Sequence, residues 1–518
     1  MKKHLIMCLL AVACTPLTVV GSATNATTKA LPHALSNTKK TDKNGITTLS
    51  FRYKRSDDGY MILVDDDRRK LEIKNSITAT LLKFKNSNFG GGSRDVKNRN
   101  RVRHHPGWQE YIWNPKIRAT QELSNQTNLY ARLSAVWATT QGNGDGADPS
   151  LTSNKPSCFS TEEAVMGWTS GKLLQQYGYG DPIFDISVGN QSFKIADRFV
   201  ISDGTSDNGW RAASWWGPRG AFRETAIIKI NTNPIRGDLF HLRTNTSQRY
   251  VYGSDQPRTM LYGGNVEYIS RDADQKELWN IGGTFLHLYQ ADSTFRTTSP
   301  RANRKGLSVY NPRVGGSFFP INRDIRFYAG YVHQRNNTLR RKANAHAYYV
   351  EPGYQFSKVW GTPLLTYRYM YFSGDSNPGS SIKRSYDPLM FGYWSRNFGT
   401  WEAGEAYGQM YFTNTNQKVH TVQLKMTPWK DYTMGLLYYN IKFDKPRQAG
   451  ALSNRSADEW DAYVKWSPYT WLDLSAIVGA CIPKAGLKQL TAAGNTNIPA
   501  SRIGKTLYFG FLSATLNF

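Results

Sequence analysis

What the chain lacks narrows it first. Beyond an amino-terminal leader it has no apolar run of the roughly 20 residues that a membrane-spanning helix needs, and its mean hydropathy is −0.54. A helical membrane protein is excluded. A β-barrel is not, because only alternate residues of each of its strands touch lipid. Cysteine is scarce, at four in 518 residues. Cys8 and Cys14 lie in the leader, which leaves Cys158 and Cys481 to form one disulfide in an oxidising compartment or to stay as two free thiols. The nine histidines give little: those beyond the leader, including His241, His287, His333 and His420, are scattered with no nucleophile motif beside them. A catalytic grouping of Ser, His and acid is therefore not expected, and neither is an enzyme. Acids are also short, with 39 Asp and Glu against 65 Lys and Arg and a formal charge of +26.

The leader, residues 1–26, opens on Lys2 and Lys3, runs apolar from Leu5 to Val20 and reaches small residues at Gly21, Ser22 and Ala23. That is a secretory signal, cut after Ala23 or Ala26. Cys14 follows Ala11, Val12 and Ala13, which lack the leucine of a good lipid-attachment site. Residues 27–74 are polar and mixed in charge, with SDDGY at 56–60 and DDDRRK at 65–70. They read as a periplasmic arm or a small lumen-facing plug.

From residue 75 to the end the dominant signal has a period of two. In the final stretch Tyr508, Gly510, Leu512, Ala514, Leu516 and Phe518 share one face, while Ser513, Thr515 and Asn517 share the other. Leu129, Ala131, Leu133, Ala135 and Trp137 alternate with Tyr130, Arg132 and Ser134, and Val422, Leu424 and Met426 with Thr421, Gln423 and Lys425. Leu437, Tyr439, Ile441 and Phe443 likewise alternate with Tyr438, Asn440 and Lys442. A single strand of this kind also suits the edge of a soluble sandwich. About 18 of them behind a secretion signal suit an outer-membrane barrel. The segments fall near 75–85, 110–123, 129–138, 162–174, 183–190, 222–232, 238–246, 259–270, 277–290, 306–319, 325–334, 344–356, 364–373, 418–427, 433–443, 459–466, 471–480 and 507–518. Short turns (124–128, 233–237, 320–324, 428–432, 467–470) alternate with long polar loops (86–109, 139–161, 191–221, 374–417, 481–506). Barrels sit this way, with hairpins on the periplasmic side and long loops outside. The expected fold is thus all-β, a closed transmembrane antiparallel barrel. An aromatic content of 13%, with 30 Tyr and 15 Trp, suits interfacial girdles.

The stretch FDISVGNQSFKIADRFVISDGTSDNGWRAASWWGPRGAF at 184–222 resembles the alginate export family of outer-membrane channels, with its Val-Gly-x-Gln turn, Gly-rich loop and Trp-Leu-Gly-Pro-Arg-like return. FGYWSRNFGTWEAGEAYGQMYFTNTNQ at 391–417 is similar to that family's long aromatic loop. Trp216 stands where a Leu-like residue is more usual, and the first loop is more basic. The resemblance implies an 18-stranded channel whose positively charged lumen passes an anionic polysaccharide such as alginate, or other anionic solutes. The alternatives are a porin for small anionic metabolites and a non-conducting structural or adhesin barrel.

Strand parity places Lys116, Arg118, Arg132, Arg223, Lys229, Arg243, Arg326, Arg368, Lys425, Lys442 and Lys465 on the lumen face, against fewer inward acids: Glu122, Asp185, Glu267, Asp461 and Asp473. A ladder of fixed positive charge in a narrow aqueous passage concentrates anions. The loop 191–221 is long enough to fold inward, carrying Lys194, Arg198, Arg211 and Arg219 among Trp210, Trp215 and Trp216. Forked guanidinium donors suit carboxylates. The basic run SRDVKNRNRVRHH at 93–105 suits lipopolysaccharide phosphates or substrate capture. SDGTSDNG at 202–209 lacks the closing bidentate Glu of a calcium loop and reads as a turn; no metal and no cofactor are expected. The partners expected are outer-membrane lipid and lipopolysaccharide, the anionic polysaccharide or small anion, and the barrel-assembly machinery, with no nucleic acid and a monomeric state.

Overall fold

The computed structural model describes residues 35–41, 47–53, 55–56, 58–94, 102–143, 157–174, 182–204, 212–245, 258–272, 274–291, 304–317, 322–337, 342–377, 379–392, 396, 398–408, 412–493 and 504–518. Eighteen antiparallel strands close into one barrel. They are β1 Arg69–Lys85, β2 Gly107–Glu122, β3 Asn128–Gly142, β4 Ser157–Thr169, β5 Phe184–Gln191, β6 Phe222–Asn231, β7 Ile235–Arg243, β8 Thr259–Arg271, β9 Glu277–Ala291, β10 Leu307–Gly316, β11 Ile325–Asn336, β12 Lys342–Gln355, β13 Leu364–Phe372, β14 Gln417–Trp429, β15 Tyr432–Phe443, β16 Arg455–Tyr469, β17 Leu472–Pro483 and β18 Leu507–Asn517. The ring shuts where β18 pairs with β1, from Tyr508 opposite Lys85 to Asn517 opposite Ser76. Beyond that register Asn75 and Phe518 exchange backbone hydrogen bonds of 2.6 and 2.9 Å.

The outer wall is oily. Met166 is 70% exposed, Val478 59% and Leu512 54%, values that a soluble sheet would not sustain around a closed ring. Trp360, Trp429, Tyr432, Tyr469 and Trp471 form ring contacts at the short-turn end, and Tyr348, Tyr369, Tyr371, His346 and His420 do so toward the long-loop end. These are two interfacial girdles. Val478→Arg, in the middle of β17, should cost about 2–4 kcal/mol in denaturant unfolding from vesicles. An unchanged midpoint would mean that this face does not meet lipid.

Inside the wall a repeated pairing sets the register. Tyr130 lies opposite Gly167, Tyr328 opposite Gly315, Tyr349 opposite Gly330, Tyr463 opposite Gly435 and Phe509 opposite Gly479. A Cβ added at any of these glycines would fall 2.2–2.6 Å from the facing ring. Each ring therefore lies down across its neighbour's backbone instead of standing into the bore.

Two expectations change and one open alternative is decided. The first strand begins at Arg69, paired with Gln121, so residues 69–74 belong to the wall and not to a preceding arm. On β15 the faces are opposite to those expected: Leu437, Tyr439, Ile441 and Phe443 are buried in the interior, and Lys442 points outward. The cause is that the interior is filled there, so the inner face packs on protein, while the outer face carries exposed Met434 and Leu436 and, nearer the loop end, Asn440 and Lys442. Finally, Cys158 and the buried Cys481 are both free.

Candidate functional site: the occupied bore

The described parts of two long loops, within 192–221 and 373–416, enter the barrel and share one apolar cluster with the wall. It includes Phe199, Val200, Ile201, Trp215, Leu389, Met390 and Trp401 from the loops and Phe84, Trp108, Tyr349, Phe372, Leu437 and Tyr439 from the strands. Their backbones bond to each other: Ser202 N donates to Met390 O at 2.8 Å and Gly392 N to Arg198 O at 2.9 Å. The Trp401 indole donates to Asp197 O at 2.6 Å and packs against Phe199 at 4.8 Å between centroids. The first loop folds inward as its length suggested; the second, not expected there, packs against it, and together their side chains narrow the bore.

Wall carboxylates hold these loops in the same way at two places. In the first loop a turn closes by Gly217 N to Ala213 O at 2.9 Å. Its amides at Trp215 and Trp216 donate to Glu110 on β2 at 3.0 and 3.3 Å. In the second a turn closes by Gly408 N to Gly404 O at 2.9 Å. There Ala406 N and Tyr407 N donate to the two oxygens of Glu459 at 2.6 and 3.0 Å, and Glu405 N donates to Asp461 at 3.1 Å. A carboxylate at the start of a helical turn satisfies amides that have no intrahelical partner. Glu162 and Glu163 on β4 accept from Ala221 N and Ser192 N at 2.8 and 3.2 Å. Within the second loop, burial and the adjacent Glu402 hold the Glu405 carboxyl well above the usual range.

Two polar chambers flank the packed loops. The first, of about 350 Å³, is lined by Arg198, Arg236, Arg313 and Arg396, by Asp197, Glu267 and Glu277, and by the rings of Tyr328 and Tyr349. The second, of about 310 Å³, holds Lys116 and Lys194 with Glu162, Glu163 and Asp203. Burial, and then the charge of Arg198, pull the Lys194 ammonium below its usual range.

Of the residues expected at the lumen, Lys116, Arg132, Lys229, Arg326, Lys425 and Lys465 do face inward. Arg132 donates to Gln191 at 3.1 Å, and the Lys465 ammonium lies over Phe398 at 5.6 Å. Arg118 is inward but tied to Glu72 at 2.6 Å and Asp58 at 2.7 Å. Burial opposes the Asp58 charge, but the hydrogen bonds from Arg118 and Ser56 and the Arg118 charge together outweigh it and hold this carboxyl at about 2. Arg368 is buried against Glu351 at 2.5 Å, and Arg219 is buried with a bond to Ala212 O at 2.8 Å. These two brace the interior. Arg223 is exposed at the outer end of β6. Arg243 points outward and pairs with Glu224, because parity on β7 puts Phe240 and Leu242 inside; with Lys442 it is the second misplaced cation. Arg211, Trp210 and residues 205–209 of the calcium-like run lie outside the described residues.

The lumen is also richer in acids than the sequence reading allowed. Glu72, Glu110, Glu162, Glu163, Glu351 and Glu459 all face inward, so the interior alternates in sign and carries no simple ladder of cations. Arg236, Arg313 and Arg396 were missed as well. Arg236 and Arg313 could have been found, since they share inward parity with Asp238 and with Asn311 and Gly315. Arg396 is placed by a long loop and had no local signal.

No protein-family model matches the chain, and none of the curated proteins does. Solved structures do. OpdK of Pseudomonas aeruginosa, in a structure with vanillate, is similar over 86% of this chain and 98% of its own at 10% identity, with a TM-score of 0.50. A BenF-like porin of Pseudomonas fluorescens Pf-5 gives the same coverage and identity with a TM-score of 0.49, and OccK11 (OpdR) of P. aeruginosa 86% and 96% at 11% identity with 0.48. At such identity the likeness is one of fold. The chain is an outer-membrane β-barrel. A closed antiparallel ring with every strand paired and an apolar exterior is the form that crosses the outer membrane of a Gram-negative bacterium. The alginate export family stays a resemblance.

Proposed function

We propose that this barrel is a passive channel for small organic anions. The observation that carries the reading is the chamber of about 350 Å³ beneath the inward loops, into which four guanidinium groups converge. Arginine forks match carboxylate geometry and keep their charge at any physiological pH. An acidic polysaccharide such as alginate is the second reading, resting on the two loop segments that resemble the alginate exporters. Packed loops that leave chambers of monomer size favour the small solute. We also propose that the outward Lys83 and Lys85, above the apolar stripe of β1, meet lipopolysaccharide phosphates, that the assembly machinery inserts the chain, and that it works as a monomer.

Planar-bilayer recording under a KCl gradient tests the main claim. The expected result is a small conductance whose reversal potential has the sign for anion preference, with no block by polyuronate. A silent or cation-preferring barrel overturns it, and block by polyuronate but not by a neutral glucan would transfer the reading to the polymer.

A further inference from the structure

Three cations stand side by side on the outside of the wall, near its long-loop end. Lys418 on β14 lies opposite Lys442 on β15, and Lys442 lies opposite Arg455 on β16. Residues so paired share a face of the sheet with Cβ atoms about 5 Å apart, where like charges are destabilising. Continuing the pairing of Ile441 with Ala457 would have set Ser456 against Lys442. Instead the register shifts between Ile441 and Lys442, and the bond from Phe443 N to Asn454 O at 2.8 Å carries the shift onward. A β-bulge of this kind re-aims a side chain, and here it brings a third positive group up to the other two. The nearby acids are already engaged. Asp444 takes Lys418 at 3.1 Å, Lys445 at 3.5 Å and the Tyr371 hydroxyl at 3.1 Å, and Asp458 takes Lys484 and Asn440, each at 2.7 Å. Lys442 and Arg455 have no acidic partner among the described residues.

Beneath this row the same strands run down into the apolar wall. Two rows toward the short turns, Tyr438 and Trp460 face each other with ring centroids 4.6 Å apart. That is about 13 Å of strand below the cations. One row further, Leu424 and Leu436 are opposite each other and exposed on the outer face. An anion that relieves the cation row therefore has an aromatic step and then an oily surface directly below it. Free phosphate would use the upper row alone. A phosphorylated lipid uses all of it, since phosphate oxygens accept several charge-assisted hydrogen bonds at once and acyl chains cover the wall. The long-loop end faces outward, so the lipid is one of the outer leaflet.

We propose that Lys418, Lys442 and Arg455 form a phosphate seat for lipid A, the phosphorylated glycolipid of lipopolysaccharide, with its acyl chains lying along Leu424 and Leu436. The site rests on the outer-membrane setting and deepens the lipopolysaccharide contact given above to Lys83 and Lys85; it does not depend on what the bore conducts. The full-length barrel, folded in detergent, is titrated with lipid A, and the temperature at which its gel mobility changes from folded to unfolded is read. The same lipid stripped of its phosphates, and inorganic phosphate, are the comparisons. Lipid A should raise that temperature in a saturable way, and neither comparison should. Lys442→Gln with Arg455→Gln should raise the half-saturating concentration of lipid A at least about tenfold. Because that change also removes repulsion, it should not lower the lipid-free temperature. Arg455→Gln alone should weaken the response about fivefold, which gives a second arm if the double variant does not fold. Lys276→Gln with Lys430→Gln, two exposed cations at the short-turn end, should change nothing. Equal shifts with the phosphate-free lipid or with inorganic phosphate overturn the site, as does wild-type half-saturation in the double variant. A response abolished by Lys83→Gln with Lys85→Gln but untouched by the β15 and β16 changes overturns this site and leaves the contact at β1 standing, so the two failures are distinguishable.

Discussion

Replacing Glu459 and Asp461 together by alanine is expected to release the second inward loop and raise single-channel conductance several-fold. The three consecutive amides of Glu405, Ala406 and Tyr407 all terminate on these two side chains, which stand two residues apart on β16 and so share its inner face. Each amide left buried without an acceptor costs about 1–3 kcal/mol. Three of them exceed what a loop turn can lose and remain seated. The wall itself should survive, since its strand-to-strand bonds do not involve these carboxylates. The measurement is conductance alongside the heat-modified gel mobility of a folded barrel. Unchanged conductance in a folded double variant would show that the turn is held by its apolar contacts alone. Glu459→Gln keeps an acceptor oxygen and should fall between the two.

Reversing Lys116, Lys194 and Arg198 to glutamate is expected to invert ion preference. These residues line the two chambers on either side of the packed loops. Where acids and bases alternate, selectivity turns on a few charges facing water, and each contributes about 2 kcal/mol at 8 Å with an effective dielectric of 20. Glu162 and Glu163 are already committed to loop amides, so the triple change swings the balance without touching those anchors. Reversal potentials at roughly 0.1 M salt should change sign, and the difference should shrink at 1 M, where screening falls to about 3 Å. A preference that stays anionic at low salt would place the selecting charges elsewhere, in the outer loops or on Arg313 and Arg396.

The strands were legible because lipid and turn chemistry both act locally. Even the poorly alternating segments near 277–290 and 306–319 stand as β9 and β10, bounded by polar turns. Face assignment was legible only where the inner face is polar. Val422 and Leu424 do point to lipid, at 42% and 39% exposure, but Leu437 and Tyr439 on the next strand point inward against the loop. The sequence cannot distinguish a lipid from a packed loop as the thing an apolar face meets. The loop anchors were hidden for a different reason. Glu110 bonds across 105 residues to Trp215, and nothing near residue 110 announces it except an acid set between Trp108 and Ile112 on one face. The positive excess of the composition misled for a related cause, since the buried acids needed to hold the loops fall on the same inner parity as the bases.

The rings laid across facing glycines act as keys for strand alignment. A strand can slip only by an even number of residues without turning itself inside out. A slip of two would set Tyr349 against Tyr328 or Val332 in place of Gly330, and Tyr463 against Leu437 or Thr433 in place of Gly435. Such misfits recur at separate seams around the circumference, so an incorrectly zipped barrel is rejected locally, hairpin by hairpin, before the last strand meets the first.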